Sequence, residues 1–151
     1  MFRHILLPTD GSQLSSEAVN AGIEVAKTHG ATVTIYHALE AFPVWFHAGS
    51  RQITPDLLQR LEAEQQEVGE RLAGEAQRLA EQAGVQVTSK VDRPNSSAEG
   101  IVEAAKELGC DLICMASHGR AGIQRVLLGS VTQKVLVNSE IPVLVYRGPQ
   151  G

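Results

Sequence analysis

Two short stretches of this chain carry residue types at spacings that suit the holding of a phosphate. One is Pro8-Thr9-Asp10-Gly11-Ser12; the other is Ser117-His118-Gly119-Arg120-Ala121-Gly122, and nine residues separate its Gly119 from Gly129-Ser130. Gly129-Ser130 stands just before a helical pattern. There, backbone N–H groups with no intrahelical acceptor, and the serine hydroxyl, face the positive end of a helix dipole and can take an anion. Glycine at 119 and 129 would let phosphate oxygens approach the main chain, and Arg120 or Arg125 would add a charged donor. A β-branched side chain at either glycine is then expected to fill the phosphate position. Taken singly, such glycines are ordinary turn and cap residues, so the weight lies in the combination. The spacing excludes two known phosphate devices, because no G-x-x-x-x-G-K-[ST] is present and no G-x-G-x-x-G follows the first strand.

Other reactive residues are less organised. Asp10 either steers a ribose or base or simply forms the turn before Gly11. Ser117 and His118 are a nucleophile and a base by type, but neighbours in sequence do not make a relay and no orienting acid is identifiable, so no catalytic residue is assigned. His4, His29, His37 and His47 form no H-x3-H pair and read as structural or exposed. Cys110 and Cys114, spaced C-x3-C, match neither a redox pair nor a zinc knuckle and read as reduced thiols. Thirteen basic residues against seventeen acidic ones leave a net charge of −4, which argues against nucleic-acid binding, and the 4% aromatic content offers little for stacking bases. There is no run of about 18 apolar residues, and the N-terminal MFRHILLPTD turns polar too soon for a secretory core, so no membrane association and a cytoplasmic location are expected.

The elements that must position these loops follow from periodicity. Ile5, Leu6 and Leu7, ending at Pro8, read as a buried strand. Leu14, Ala18, Ala21, Val25 and Ala26 make a helical stripe that ends at a Gly30 cap. Ala31 to Ala38 is a β-branched second strand. A long connection from Leu39 to Ile53 holds Phe42, Trp45 and Phe46, half of the aromatics, which would either close over a ligand, pack on a second subunit or tie the loop down. Thr54-Pro55-Asp56 opens a helix reaching about Ala83, with Leu58, Leu61, Val68, Leu72 and Leu79 facing inward. Val85, Val87 and Val91 form a third strand, and Ser96-Ser97-Ala98-Glu99 opens a helix to Leu108. Leu112 to Ala116 is a central strand, followed by a helix from Val131 to Asn138 and a strand from Ile141 to Tyr146. With 151 residues, the alternation of strand and helix predicts one α/β domain, a parallel sheet with helices on both faces and a site beyond the strand C-terminal ends.

The two loops, with Gly129-Ser130 and the closing Ile141-Pro142-Val143-Leu144-Val145-Tyr146-Arg147, resemble the universal stress protein family from Phe2 to Arg147. That resemblance implies a single doubly wound five-stranded sheet of order 3-2-1-4-5 over residues 1–147, with 148–151 a short tail. It also implies the ATP-holding pattern Gly-x2-Gly-x9-Gly-[Ser/Thr] of the family's nucleotide-binding branch, in which Gly119, Gly129 and Ser130 match and the first glycine is Ala116. Pro8, Thr9, Asp10 and the main chain of Ala38 would then lie at the adenosine end with Met115 and Ala116, while Gly119, Arg120, Gly129, Ser130 and Val131 face the phosphates. The implied cofactor is ATP with Mg2+ held mainly through phosphates and water, and the implied assembly is a homodimer through the Ile141 to Tyr146 edge strand. The function implied is an ATP-binding regulatory switch in stress response, with at most slow hydrolysis. Two other classes stay open at this point: a dimeric stress-linked interaction protein that binds no nucleotide, and an adenylyl-transferring or pyrophosphate-cleaving enzyme of related fold.

Overall fold

The computed structural model describes residues 1–43, 46, 53–119 and 128–149. Trp45, His47, Arg120, Ala121, Gly122 and Arg125 lie outside them, and so do the expectations attached to those side chains. Strands and helices alternate as β1 (His4–Pro8), α1 (Gln13–His29), β2 (Thr32–Ala38), α2 (Pro55–Gln82), β3 (Val87–Asp92), α3 (Ser97–Glu107), β4 (Leu112–Ala116), α4 (Ser130–Asn138) and β5 (Val143–Tyr146). The sheet has the expected order β3-β2-β1-β4-β5, and every pairing in it is parallel.

The unbroken apolar runs of β1 and β4 arise because alternate residues enter two different cores. Ile5 and Leu7 point to α1 and α2, among Val19, Ile23, Ala73 and Ala76. Leu6 points the other way, to Ala98, Ile101 and Ala105 of α3 and Val135 of α4. In β4, Leu112 and Cys114 join the first core while Ile113 and Met115 join the second. Helix starts are set by short hydroxyl side chains: Ser12, Thr54 and Ser96 each accept the N–H three residues on, at 3.2 Å. Gly30 ends α1 in the left-handed region, φ 65°. Among the described residues no helix is long and apolar enough to cross a membrane.

Three details depart from the periodicity reading. On α1 the fully buried stripe is Ser15, Ala18, Val19, Gly22, Ile23 and Ala26, with Leu14, Ala21 and Val25 on its flanks. A Cβ on Gly22 would run into the side chain of Leu7, so this helix lies close to the sheet. On α2 the buried face is Gly69, Ala73, Ala76 and Ala80, while Val68 and Leu79 are 40% and 41% exposed and Leu58, Leu61 and Leu72 only half-buried. Small residues win the inward face because the helix packs at short range, and the large ones are displaced to its side. Finally, β5 begins at Val143 and not at Ile141, because the Ser139 hydroxyl accepts the Ile141 N–H (3.0 Å) and donates to the Ile141 carbonyl (2.8 Å), holding a turn there.

Cys110 and Cys114 are free and buried. Burial pushes both thiols up to about 11, and the carboxylate of Asp111 adds to the effect at Cys110. Burial also raises the Tyr36 phenol well above its ordinary value, helped by Asp92, Glu103 and Glu107. A thiol kept neutral in the fold but free to ionise when unfolded contributes stability that is whole below its ordinary value near 9 and is lost as pH rises through about 11. The urea midpoint should therefore hold steady up to about pH 9 and fall between there and about pH 11, less steeply in Cys114→Ala; denaturation curves across that range test it, and a flat midpoint would contradict it.

Candidate functional site

Because β1 pairs with β4 (Ile5 with Leu112, Leu6 with Ile113), the loops that leave these two strands emerge side by side. The chain after β1 turns to one face of the sheet and the chain after β4 to the other, which opens a crevice at the switch point. A cavity of about 940 Å³ lies there. Pro8, Thr9 and Asp10 reach it from the end of β1, Ala38 from β2, and Met115 and Ala116 from β4. Gly119 comes from the loop beyond, and Gly129, Ser130 and Val131 from the start of α4. Of the expected site residues, Arg120 and its alternative Arg125 fall outside the described ones.

The first loop is built from short side chains that fix one another. The Thr9 N–H donates to the Tyr36 carbonyl (2.9 Å), and its hydroxyl accepts from Gly11 N–H (3.2 Å) and meets the Ser15 hydroxyl (3.2 Å). Asp10 Oδ1 accepts the Ser12 N–H at 2.9 Å, the turn-forming role open to an Asp before Gly, and Gly11 takes the positive φ of 78° that this bend requires. His37 donates from Nδ1 to the Thr9 carbonyl (2.7 Å) and itself lines the cavity. Its structural reading stands, but its place on the cavity wall carried no sequence signal.

The second loop closes against the first through glycine. A Cβ on Gly119 would lie 2.5 Å from Asp10 Oδ2, and one on Gly129 would lie 3.1 Å from Cα of His118 and 3.4 Å from the Ser117 carbonyl oxygen. Neither glycine has a positive φ. A first side-chain carbon would meet protein at both positions, Asp10 of the first bend at Gly119 and the start of its own loop at Gly129, so close packing of the rim itself favours glycine here, besides any room it leaves for a ligand. The Gly129 N–H is likewise engaged, donating to Ser117 O at 2.7 Å. Beyond it, α4 begins with no side-chain cap, since Gly129 offers none. The Thr132 hydroxyl donates to the Ala116 carbonyl (2.9 Å) and fastens the first turn of α4 to the end of β4. The cavity thus receives the positive end of a nine-residue helix whose first turn is held in place. Ser117 Oγ does meet His118 Nδ1, at 3.3 Å, but Ser117 is buried.

Of the opposite wall, only Phe42 is among the residues singled out from the sequence as able to close over a ligand. Phe42, Leu61, Val68 and Leu72 give this wall an apolar lining, with Glu40, Glu64 and Gln65 among them. Two stripes run side by side on α2: small residues at 69, 73, 76 and 80 face the sheet, and large ones at 61, 68 and 72 face the cavity. That doubled stripe is the sequence signal for the wall. The carboxylates of Glu40 and Glu64 oppose an anion at this end, so charge favours an anion at the α4 end and an uncharged group here.

A sequence profile described as "Universal stress protein family" matches residues 1–147. The chain belongs to the universal stress protein family. It is 34% identical to universal stress protein MJ0531 of Methanocaldococcus jannaschii over 99% of this chain and 85% of that one. It is 30% identical to universal stress protein YxiE of Bacillus subtilis over 97% and 100%. Among solved structures of the same fold, that of MJ0577 superposes with a TM-score of 0.82 at 26% identity, over 100% of this chain and 99% of that one. A universal stress protein solved in complex with cAMP superposes at 0.66, with 24% identity over 98% of each chain. One from Archaeoglobus fulgidus in complex with dAMP superposes at 0.62, with 15% identity over 96% and 97%. Against the glycine pattern of this family's nucleotide-binding branch, Ala116 stands at the end of β4, buried and paired with Tyr146.

The packing of Asp10 on Gly119 yields a direct test. Gly119→Ala should force the Asp10 carboxylate to turn and break its bond to Ser12, at a cost of about 1 kcal/mol. In an Asp10→Ala background the same change should cost much less. Chemical denaturation of the four proteins measures the coupling, and strictly additive losses would show that the two bends do not rest on each other.

Proposed function

We propose that this member of the family binds an adenine nucleotide, ATP with Mg2+, in the cavity between β1 and β4, and that it acts in the cytoplasm as a regulatory switch in stress response and not as a turnover enzyme. The observation that carries the reading is the uncapped start of α4, which opens into a cavity large enough for a nucleotide and with an apolar far wall. The N–H groups of Ser130 and Val131 and the Ser130 hydroxyl take phosphate oxygens, with Gly119 and Gly129 flanking the tail. Pro8, Thr9, Asp10, the main chain of Ala38, Met115 and Ala116 hold the nucleoside. Mg2+, bound through phosphates and water, offsets the charge of the tail. The cAMP and dAMP complexes of fold neighbours support an adenine nucleotide as the ligand class. Among the described residues, the titratable side chains that line the cavity at the strand ends are each engaged by a neighbour, Asp10 by the Ser12 N–H, His37 by the Thr9 carbonyl and His118 by the Ser117 hydroxyl, which favours slow hydrolysis at most.

Gently purified protein should carry adenine nucleotide by native mass spectrometry, and titration calorimetry with Mg2+ and ATP should show saturable binding with negligible turnover over minutes. Absence of binding would turn the assignment to an interaction protein without nucleotide. Rapid product formation would turn it to an adenylyl-transferring or pyrophosphate-cleaving enzyme.

The same proposal includes a homodimer. β5 is the edge of the sheet, and it carries Leu144, 37% exposed, beside α4 with Leu136 and Val137 exposed at 41% and 83%. An uncovered apolar edge pairs readily with a second copy. Light scattering should report a dimer for the wild type and a monomer for Val137→Glu/Leu144→Glu with unchanged circular dichroism; a wild-type monomer at micromolar concentration would remove the dimer from the proposal.

A further inference from the structure

Arg93 follows β3 and is exposed, yet its partners form the wall of the cavity. Its Nη1 donates to the Glu40 carbonyl (3.0 Å) and to Gln65 Oε1, and its guanidinium lies 5.5 Å from the centre of the Phe42 ring. Glu40, Phe42 and Gln65 all line the cavity. One side chain therefore joins the end of β3, the segment leaving β2 and the cavity-facing side of α2.

The surroundings make this tie specific. The Leu39 N–H donates to the Asp92 carbonyl (2.7 Å), which brings the segment after β2 alongside Arg93. Gly69 lets α2 approach the same segment, since a Cβ there would lie 2.7 Å from Leu39 Cδ2 and 2.9 Å from His37 Cδ2. Gln65, one turn earlier on α2, is thereby within reach. Phe42 is stacked on Phe46, with centroids 5.0 Å apart and planes at 19°. A guanidinium suits this place because one nitrogen at its edge serves two acceptors while the delocalised cation lies near a ring.

We infer that Arg93 is a positioning residue for the nucleoside end of the site: it holds Phe42 as an aromatic wall against which a planar base packs, and so sets affinity for the base without touching the phosphates. The inference rests on the nucleotide reading above and assigns a role to a residue outside the cavity. Since Arg93 and Glu40 are exposed and Phe42 and Gln65 only half-buried, the tie contributes little to global stability, and its effect falls on the wall it holds.

The test compares wild type, Arg93→Gln, Phe42→Ala and the double variant, by calorimetry with adenosine and with Mg2+ and ATP, and by competition with inorganic tripolyphosphate. Each single change should raise Kd for adenosine and for ATP by the same factor, roughly three- to tenfold. The double variant should be no weaker than the weaker single one, and tripolyphosphate competition and the melting temperature should stay near wild type. Unchanged Kd in Arg93→Gln, additive losses in the double variant, or an equal loss for tripolyphosphate would overturn the assignment. A wild type that binds neither adenosine nor ATP would instead refute the nucleotide reading itself, before any variant is compared.

Discussion

The site depends on one adjacency, the pairing of β1 with β4. Both strands are apolar on every side chain from Ile5 to Leu7 and from Leu112 to Met115, so each must be covered on two faces and neither tolerates the edge of the sheet. Once they lie together, their exits are fixed side by side, and the chain leaves them toward opposite layers. The contact of Asp10 with Gly119 and the close approach of Gly129 to His118 follow from that placement. A side chain at 119 would have to displace the Asp10 carboxylate, and one at 129 would crowd His118 and Ser117, so these glycines shape the mouth of the cavity before any ligand arrives.

Charge and polarity then divide the cavity. At one end is a helix start without a side-chain cap, fastened by Thr132 to the last carbonyl of β4. At the other are aliphatic and aromatic side chains from α2 and the segment after β2, with two carboxylates among them. The first environment stabilises a negative group and the second repels one, so an elongated ligand with one anionic and one apolar end has a single favourable direction of entry. His37, bonded to the Thr9 carbonyl, connects the two ends by fixing the strand-end loop to β2.

Much of this was legible in the residues. Strand and helix alternation and the caps at Thr54 and Ser96 follow from local pattern, because each rests on backbone propensity or on burial of short runs, whereas the meeting of the two glycine-bearing loops at one rim needs the strand order, which only the family resemblance implied. The long-range packing was less legible. Periodicity identified an apolar stripe on α2 but assigned its leucines to the core, since it cannot tell a large residue that packs on the sheet from one that lines an opening. Helix-to-sheet distance decides that, and here Gly22, Gly69 and the alanines of α2 make the distance short. From the sequence Phe42 has three open roles and Gln65 carries no signal, because what sets both in place is Arg93, some thirty to fifty residues away in the chain.

The two ends of α4 have different neighbours. Gly129 and Thr132 are locked to the loop and strand that border the cavity, whereas Val137, near the other end, stands almost wholly in solvent. At nine residues this helix is about 14 Å long, short enough to behave as a stiff rod. Motion of the rod along its axis cannot be felt at one end alone. The rim of the crevice and the outer margin of the molecule are thus yoked by a single lever, with no relay of side chains required between them.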